Sequence, residues 1–335
     1  MRQVAARHKW IGLIIAGIAG VAVSAALMAQ RSVTLIRSDP LTGPFRAVFA
    51  LERKDTHLGG GVAISSDGGM LAYIADDNSL HVRELSSGND RLLVKEVGPG
   101  IDVFSSPAFS PDGNLVLFSA SGGTRYYPSD IYSIGVHDLR ITRLTKSPQI
   151  ATDQVGQQGG GYGQYFYSAQ FAPDGAKILL RVYNTAQRAD YVALMDPDGS
   201  HAEVVSHGTP LFWTSDSQAI YYSQDTVVKR YNLRSSRTQT IKGLERGLGK
   251  LSDREVFAID TGTKVTFVRL QDDSLLPVGE SRIPRVRLGD RGSRAGGASG
   301  LEDLVLTSIQ ASASGRLLLV YRGDMLERLE VVEPI

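Results

Sequence analysis

Phe109-Ser110-Pro111-Asp112-Gly113-Asn114-Leu115-Val116-Leu117-Phe118 places an apolar residue, a tight reversal and a second apolar run within ten positions. Proline presets φ at the second position of the reversal and aspartate is tolerated at the third. Glycine then takes the left-handed conformation that closes the turn with a bulge. The pattern returns at Phe171-Ala172-Pro173-Asp174-Gly175 and, without the proline, at Ile64-Ser65-Ser66-Asp67-Gly68. Weaker copies stand at Trp213-Thr214-Ser215-Asp216-Ser217, Leu251-Ser252-Asp253-Arg254 and Ser312-Ala313-Ser314-Gly315. A unit repeated this often is an array, and the array decides the fold before any single residue does.

Working outward from each turn, short runs rich in Val, Ile, Leu, Phe and Tyr follow at 115–119, 178–182, 219–222, 255–259 and 317–321. They are too short for helices and read as strands. A third run comes next, at 80–85, 130–136, 190–195, 227–233 and 264–270, and polar turns such as Ser87-Gly88-Asn89 lead to a fourth, as at 140–144. Four short antiparallel strands per unit is the composition of a propeller blade. The turn centres Asp67, Asp112, Asp174, Asp216, Asp253 and Ser314 are separated by 45, 62, 42, 37 and 61 residues. The two long steps contain the two oddest stretches of the chain. Removing roughly 17 residues from each restores a period of about 40–45, the range of a four-stranded blade. The last repeat ends after three strands, at 326–332, while a strand-like segment without a repeat of its own, 45–51, precedes the first. The expectation is an all-β, six-bladed β-propeller of four-stranded antiparallel blades over residues 45–335. Its N-terminal strand would complete the final blade and leave no exposed sheet edge.

Phe109-Ser110-Pro111-Asp112-Gly113, then Asp130-Ile131-Tyr132-Ser133-Ile134, then Arg143-Leu144-Thr145, resembles the repeat of TolB-type propellers, a family that also includes the propeller domains of prolyl-oligopeptidase-like enzymes. The second repeat matches closely, the third and first fairly well, the others in outline. The resemblance implies the fold over about residues 45–335. It does not carry over binding of the peptidoglycan-associated lipoprotein, because the α/β domain that precedes the TolB propeller has no counterpart in this sequence.

Residues 1–9 carry Arg2, Arg7 and Lys9 with no acid, and residues 10–29, from Trp10 to Ala29, are apolar or small apart from Ser24. Twenty residues in a helix span about 30 Å, one hydrocarbon thickness. The reading is a transmembrane anchor at 10–29 behind a cytoplasmic basic N-terminus, with a linker at 30–44; a cleaved signal peptide is the alternative. Basic residues ahead of the span put the N-terminus inside and the propeller outside, in a bacterial periplasm. Without a cysteine the chain has neither disulfides nor thiolate metal sites, and a net charge of +1 gives no general case for nucleic acid.

The two odd stretches are insertions between blades, near 151–165 and 281–300. The first runs Gln154-Val155-Gly156-Gln157-Gln158-Gly159-Gly160-Gly161-Tyr162-Gly163-Gln164 and continues into Tyr165, Phe166 and Tyr167. It reads either as a flexible spacer or as an aromatic-tipped contact loop in which Tyr162, Tyr165 and Tyr167 anchor a protein surface. The second carries Arg282, Arg285, Arg287, Arg291 and Arg294 against Asp290. It reads as a solvated loop or as a docking segment for acidic protein surface or anionic lipid.

No catalytic constellation emerges from the residues. Gly-x-Ser-x-Gly and His-Glu-x-x-His are missing, and the histidines fall at unlike positions in their repeats. Asp196-Pro197-Asp198-Gly199 has the alternating acids of a calcium loop but lacks the distal glutamate, and reads as a plain turn. The functional expectation is a membrane-anchored, non-catalytic accessory or scaffold subunit without cofactor. It would bind a protein partner in the membrane or periplasm, with Tyr162, Tyr165, Tyr167, Arg285, Arg287 and Arg291 as contact residues. The alternative is an enzyme, such as a polysaccharide lyase or hydrolase, with its site in the central funnel.

Overall fold

The Ser-x-Asp-Gly segments form the reversals that their composition demands. In the second unit Gly113 N donates to Ser110 O at 2.9 Å, and Gly113 sits at φ 74°. The Ser110 hydroxyl donates to Asp112 Oδ1 at 2.6 Å and accepts from Leu115 N at 2.9 Å. Thr214 and Asp216 make the same pair of bonds, at 2.6 Å to the carboxylate and 2.9 Å from Ala219 N. Ser217, at φ 59°, fills the left-handed position that Gly68, Gly113, Gly175 and Gly315 hold in their turns.

The computed structural model describes residues 45–54, 61–122, 129–146, 164–244, 247–250, 256–260, 264–271, 274–282, 286–287, 303–312, 314–322 and 326–334. These residues are all-β, without a helix. After β1 (Phe45–Lys54), the first sheet holds β2 (Val62–Ile64), β3 (Met70–Ile74), β4 (Leu80–Glu84) and β5 (Asp90–Val94). The second holds β6 (Ile101–Phe109), β7 (Leu115–Gly122), β8 (Asp130–Gly135) and β9 (Ile141–Arg143). The third holds β10 (Gln164–Phe171), β11 (Ile178–Asn184), β12 (Ala189–Met195) and β13 (Glu203–His207). The fourth holds β14 (Thr209–Trp213), β15 (Ala219–Gln224), β16 (Val227–Asn232) and β17 (Arg237–Ile241). The fifth holds β18 (Gly247–Lys250), β19 (Val256–Asp260), β20 (Lys264–Gln271) and β21 (Ser274–Arg282). The last holds β22 (Val286–Arg287), β23 (Asp303–Ala311), β24 (Leu317–Arg322) and β25 (Leu326–Pro334). Each sheet is an antiparallel meander.

β1 joins the last sheet, as its position in the sequence predicts. It runs antiparallel to β25 from the pair Phe45 and Pro334 to the pair Lys54 and Leu326. One feature departs from the expected four strands: this sheet has five, in the order β1-β25-β24-β23-β22, because a short strand within the second insertion pairs with β23.

Both faces of β3, β7, β11 and β15 are largely buried because sheets pack on either side of them. In β3, Ala72 and Ile74 face Phe104, Phe118 and Tyr132 of the second sheet, while Leu71 and Tyr73 face Leu318, Leu329 and Val331 of the last. Leu117 and Ile131 meet Phe166 and Ile178 between the second and third sheets. Leu179 and Leu194 meet Trp213 and Ile220 at the next seam, and Tyr221 meets Phe257 after that. β18 lies against β23 between the fifth and last sheets. Each fully buried Leu, Ile or Phe contributes about 1.5–3 kcal/mol. The first strands touch one another, β2 on β6, β6 on β10 and β18 on β23, so they lie nearest the axis about which the sheets are set. This radial order is that of a propeller. Antiparallel pairing then places the connections between sheets, and the second hairpin of each sheet, on one rim. The Ser-x-Asp-Gly turns lie on the other.

Candidate protein-interaction surface

Tyr165 and Tyr167 lie in β10 rather than at the tip of a loop. Tyr165 pairs with Tyr183, Phe166 with Val182 and Ser168 with Arg181, so Tyr167 is the extra residue of a bulge. A bulge re-aims a side chain that regular alternation would bury or hide. The rings of Tyr165 and Tyr167 stack at 6.0 Å with 11° between their planes, and Tyr183 is tilted against both, at 6.5 and 6.0 Å. Phe166 between them is fully buried, whereas Tyr167 is 39% exposed. Desolvation raises the Tyr167 phenol above its ordinary range.

A charged pair backs the rings. The Arg181 guanidinium lies 5.2 Å from the centre of the Tyr167 ring, and its Nε and Nη2 each donate to Asp190 at 3.0 Å. Thr209 Oγ1 donates to Asp190 Oδ2 at 3.4 Å from the neighbouring sheet. Two-point pairing holds the guanidinium plane over the ring and leaves little net charge. The result is a rigid, half-buried aromatic face at the rim of the third sheet, built from β10, β11 and β12. Tyr183, Arg181 and Asp190 were not singled out from the sequence. Strand register brings them there, and only alternation within β11 hints at it.

Of the remaining predicted contact residues, Arg287 is in β22, with Asp303 as its partner on β23. Tyr162, Arg285 and Arg291 lie outside the described residues, as does the segment 10–29. Among the described residues no helix is long and apolar enough to cross a membrane.

Register also assembles a group that the sequence reading did not recognise. Ser79 Oγ is 2.9 Å from His81 Nε2, and His81 Nδ1 is 2.9 Å from Asp90 Oδ1. The spacing matches a hydrolase relay. However, Ser79 is only 1% exposed and its hydroxyl also bonds Asp77, so it is held away from any substrate. Tyr73 bonds Asp90 and stacks on His81, which makes the group a clamp across β3, β4 and β5. Asp196 and Asp198 behave as turn residues. Gly199 N donates to Asp196 O at 2.9 Å, Lys177 Nζ donates to Asp196 at 2.6 Å, and Ser200 Oγ donates to Asp198 at 2.6 Å. Among the described residues no group of three or more His, Asp or Glu side chains is placed to hold a metal ion.

No protein-family model matches the chain, and no curated protein matches its sequence. Solved structures similar to it include oligogalacturonate lyase in complex with manganese, 10% identical, with a TM-score of 0.56 over 91% of this chain and 97% of that one. The Myceliophteria thermophila Cps50 (Swd1) β-propeller domain is 11% identical, with a TM-score of 0.50 over 84% of this chain and 98% of that one. TolB from Acinetobacter baumannii is 14% identical, with a TM-score of 0.42 over 91% of this chain and 61% of that one, so this chain spans less than two thirds of its length. At these identities the likeness is one of fold. The lyase and Cps50 neighbours agree with the propeller fold expected from the repeats.

Proposed function

We propose that this chain is a six-bladed propeller, anchored in a bacterial inner membrane by residues 10–29 with the ring in the periplasm, and that it serves as a non-catalytic protein-binding subunit. The observation that carries the reading is the aromatic face of the third blade. Tyr165, Tyr167 and Tyr183 present rigid rings beside Arg181, and tyrosine with arginine is the composition of interface hot spots. Six sheets and the pairing of β1 with β25 support the blade count. The basic start and the uncharged segment 10–29 support the anchor. Tethering raises the local concentration of the face at the membrane, so a modest interface suffices.

Crosslinking of intact membranes followed by mass spectrometry tests this. The full chain is expected to yield a reproducible protein partner that is lost with Tyr165→Ser and Tyr167→Ser together, or with deletion of residues 154–163. Equal recovery from all three chains contradicts the assignment of the face.

A further inference from the structure

The tyrosine face of the third sheet has a geometry that narrows what it can bind. Three groups crowd the Tyr167 ring: Tyr165 and Tyr183, each 6.0 Å away between ring centres, and the Arg181 guanidinium at 5.2 Å. The flat faces of Tyr167 are therefore largely occupied, and what it offers outward is mainly ring edge and hydroxyl. Tyr165 and Tyr183 are half-buried beside it. Among the described residues no group takes up the Tyr167 or the Tyr183 hydroxyl, so both are open to an acceptor.

The charges that touch the rings cancel. Arg181 gives both Nε and Nη2 to Asp190, and Thr209 adds a third bond to the same carboxylate. Such a surface attracts neither an acidic nor a basic segment by charge. It fits an uncharged chain with apolar side chains and many carbonyl acceptors. A polyproline II helix has those properties, since none of its backbone carbonyls is used internally. It rises about 3.1 Å per residue, so residues two apart are offset by about 6.2 Å along its axis. The 6.0 Å between the parallel rings of Tyr165 and Tyr167 matches that offset.

We infer that the tyrosine face receives a proline-rich segment of the partner in the polyproline II conformation; the inference rests on the protein-binding reading above and names the chemistry of what is bound. Pyrrolidine rings pack against the edges of Tyr165, Tyr167 and Tyr183, and the Tyr167 and Tyr183 hydroxyls donate to prolyl carbonyls. The segment is already close to its bound shape, so docking costs it little entropy and a small face suffices. A glycan fits less well. It would stack on an open ring face, and the faces of Tyr167 are the parts already covered.

The test uses the purified full chain with labelled decaproline, a glycine-serine decamer and chitohexaose as probes. Decaproline is expected to bind with an affinity that raised salt leaves unchanged, because neither side brings net charge. Tyr167→Ser and Tyr183→Ser should each weaken it about tenfold. Tyr183→Phe keeps the ring and drops the donor, so it should weaken binding about threefold, and each variant's melting temperature checks its folding. Arg140→Glu, exposed on the opposite rim, should leave binding unchanged. No decaproline binding, equal binding of the glycine-serine decamer, equal loss in Arg140→Glu, or tyrosine-dependent binding of chitohexaose alone overturns the inference. A chain that still captures its partner through Tyr165 and Tyr167, while decaproline neither binds nor competes, overturns this inference alone.

Discussion

Thr145 Oγ1 donates a 2.8 Å hydrogen bond to Asp130 Oδ1, and the same hydroxyl accepts from Ile131 N at 2.9 Å. The Arg143 guanidinium takes the other carboxylate oxygen, and its Nε donates to Thr145 O at 3.0 Å. Asp130 and Thr145 are 4% and 0% exposed, so the start of β8 and the end of β9 are locked together away from water. Replacing Asp130 with alanine removes the acceptor of the Thr145 hydroxyl and of Arg143 Nη2. The expected loss is about 1–3 kcal/mol in urea unfolding. Asp130→Asn, whose amide oxygen still accepts from Thr145, should lose less. Equal losses would show that the Thr145 bond contributes nothing.

Acid should weaken the fold through the turns. The Ser79 hydroxyl, with Ser79 N behind it, pulls the Asp77 carboxyl from 3.8 to about 2. Hydroxyl bonds from Ser65, Ser110 and Thr214 likewise lower Asp67, Asp112 and Asp216. A carboxyl whose folded value is depressed contributes stability above its unfolded value of about 4 and loses it as pH falls through the folded value. Denaturant midpoints should therefore hold at neutral pH and fall between about pH 4 and pH 2. Ser110→Ala and Thr214→Val should each flatten that decline.

Gly68 tests the seam between the first and last sheets. At φ 73° a side chain there is strained, and a Cβ would stand 2.4 Å from Ser314 Oγ and 2.9 Å from Ser312 Oγ. Gly100 has nearly the same φ, 72°, with nothing within 4 Å of a Cβ. Gly100→Ala should cost about 1–2 kcal/mol, the conformational penalty alone. Gly68→Ala should cost measurably more in the same unfolding assay. Matching values would mean that the seam yields without resistance.

Neighbouring residues of β10 should separate core from surface. Phe166 is fully buried between the second and third sheets, and truncating it to alanine should cost about 3–5 kcal/mol. Tyr167→Ser removes a ring that is 39% exposed, with its contacts to Tyr165, Tyr183 and Arg181, so its cost should stay well below that of Phe166→Ala. A large loss for Tyr167→Ser would reclassify the aromatic face as structural.

The turns were legible because their chemistry is local: Ser110, Asp112 and Gly113 satisfy one another within five residues. The strands between them were legible because they are short, apolar and regularly spaced. The pairing of β1 with β25 was legible because a surplus strand at one end matched a deficit at the other. Features set by register were not. Arg181 reaches Tyr167, and His81 reaches Asp90, only once neighbouring strands are aligned. The glutamine- and glycine-rich stretch before Tyr165 hid where β10 begins. β22 was missed because two residues, Val286 and Arg287, are too few to show alternation.

The pairing that closes the ring is open to direct test, since the chain has no cysteine to interfere. Ala50 and Glu330 are partners across β1 and β25. Partner Cα atoms in an antiparallel pair stand about 4.5–5.5 Å apart, within disulfide reach. Mild oxidation of the Ala50→Cys, Glu330→Cys chain should give an intramolecular disulfide, seen by mass spectrometry, and a higher melting temperature. The offset pair Ala50→Cys, Arg328→Cys should form it poorly. No crosslink at the first pair, or equal crosslinking at both, contradicts a ring closed by its N-terminal strand.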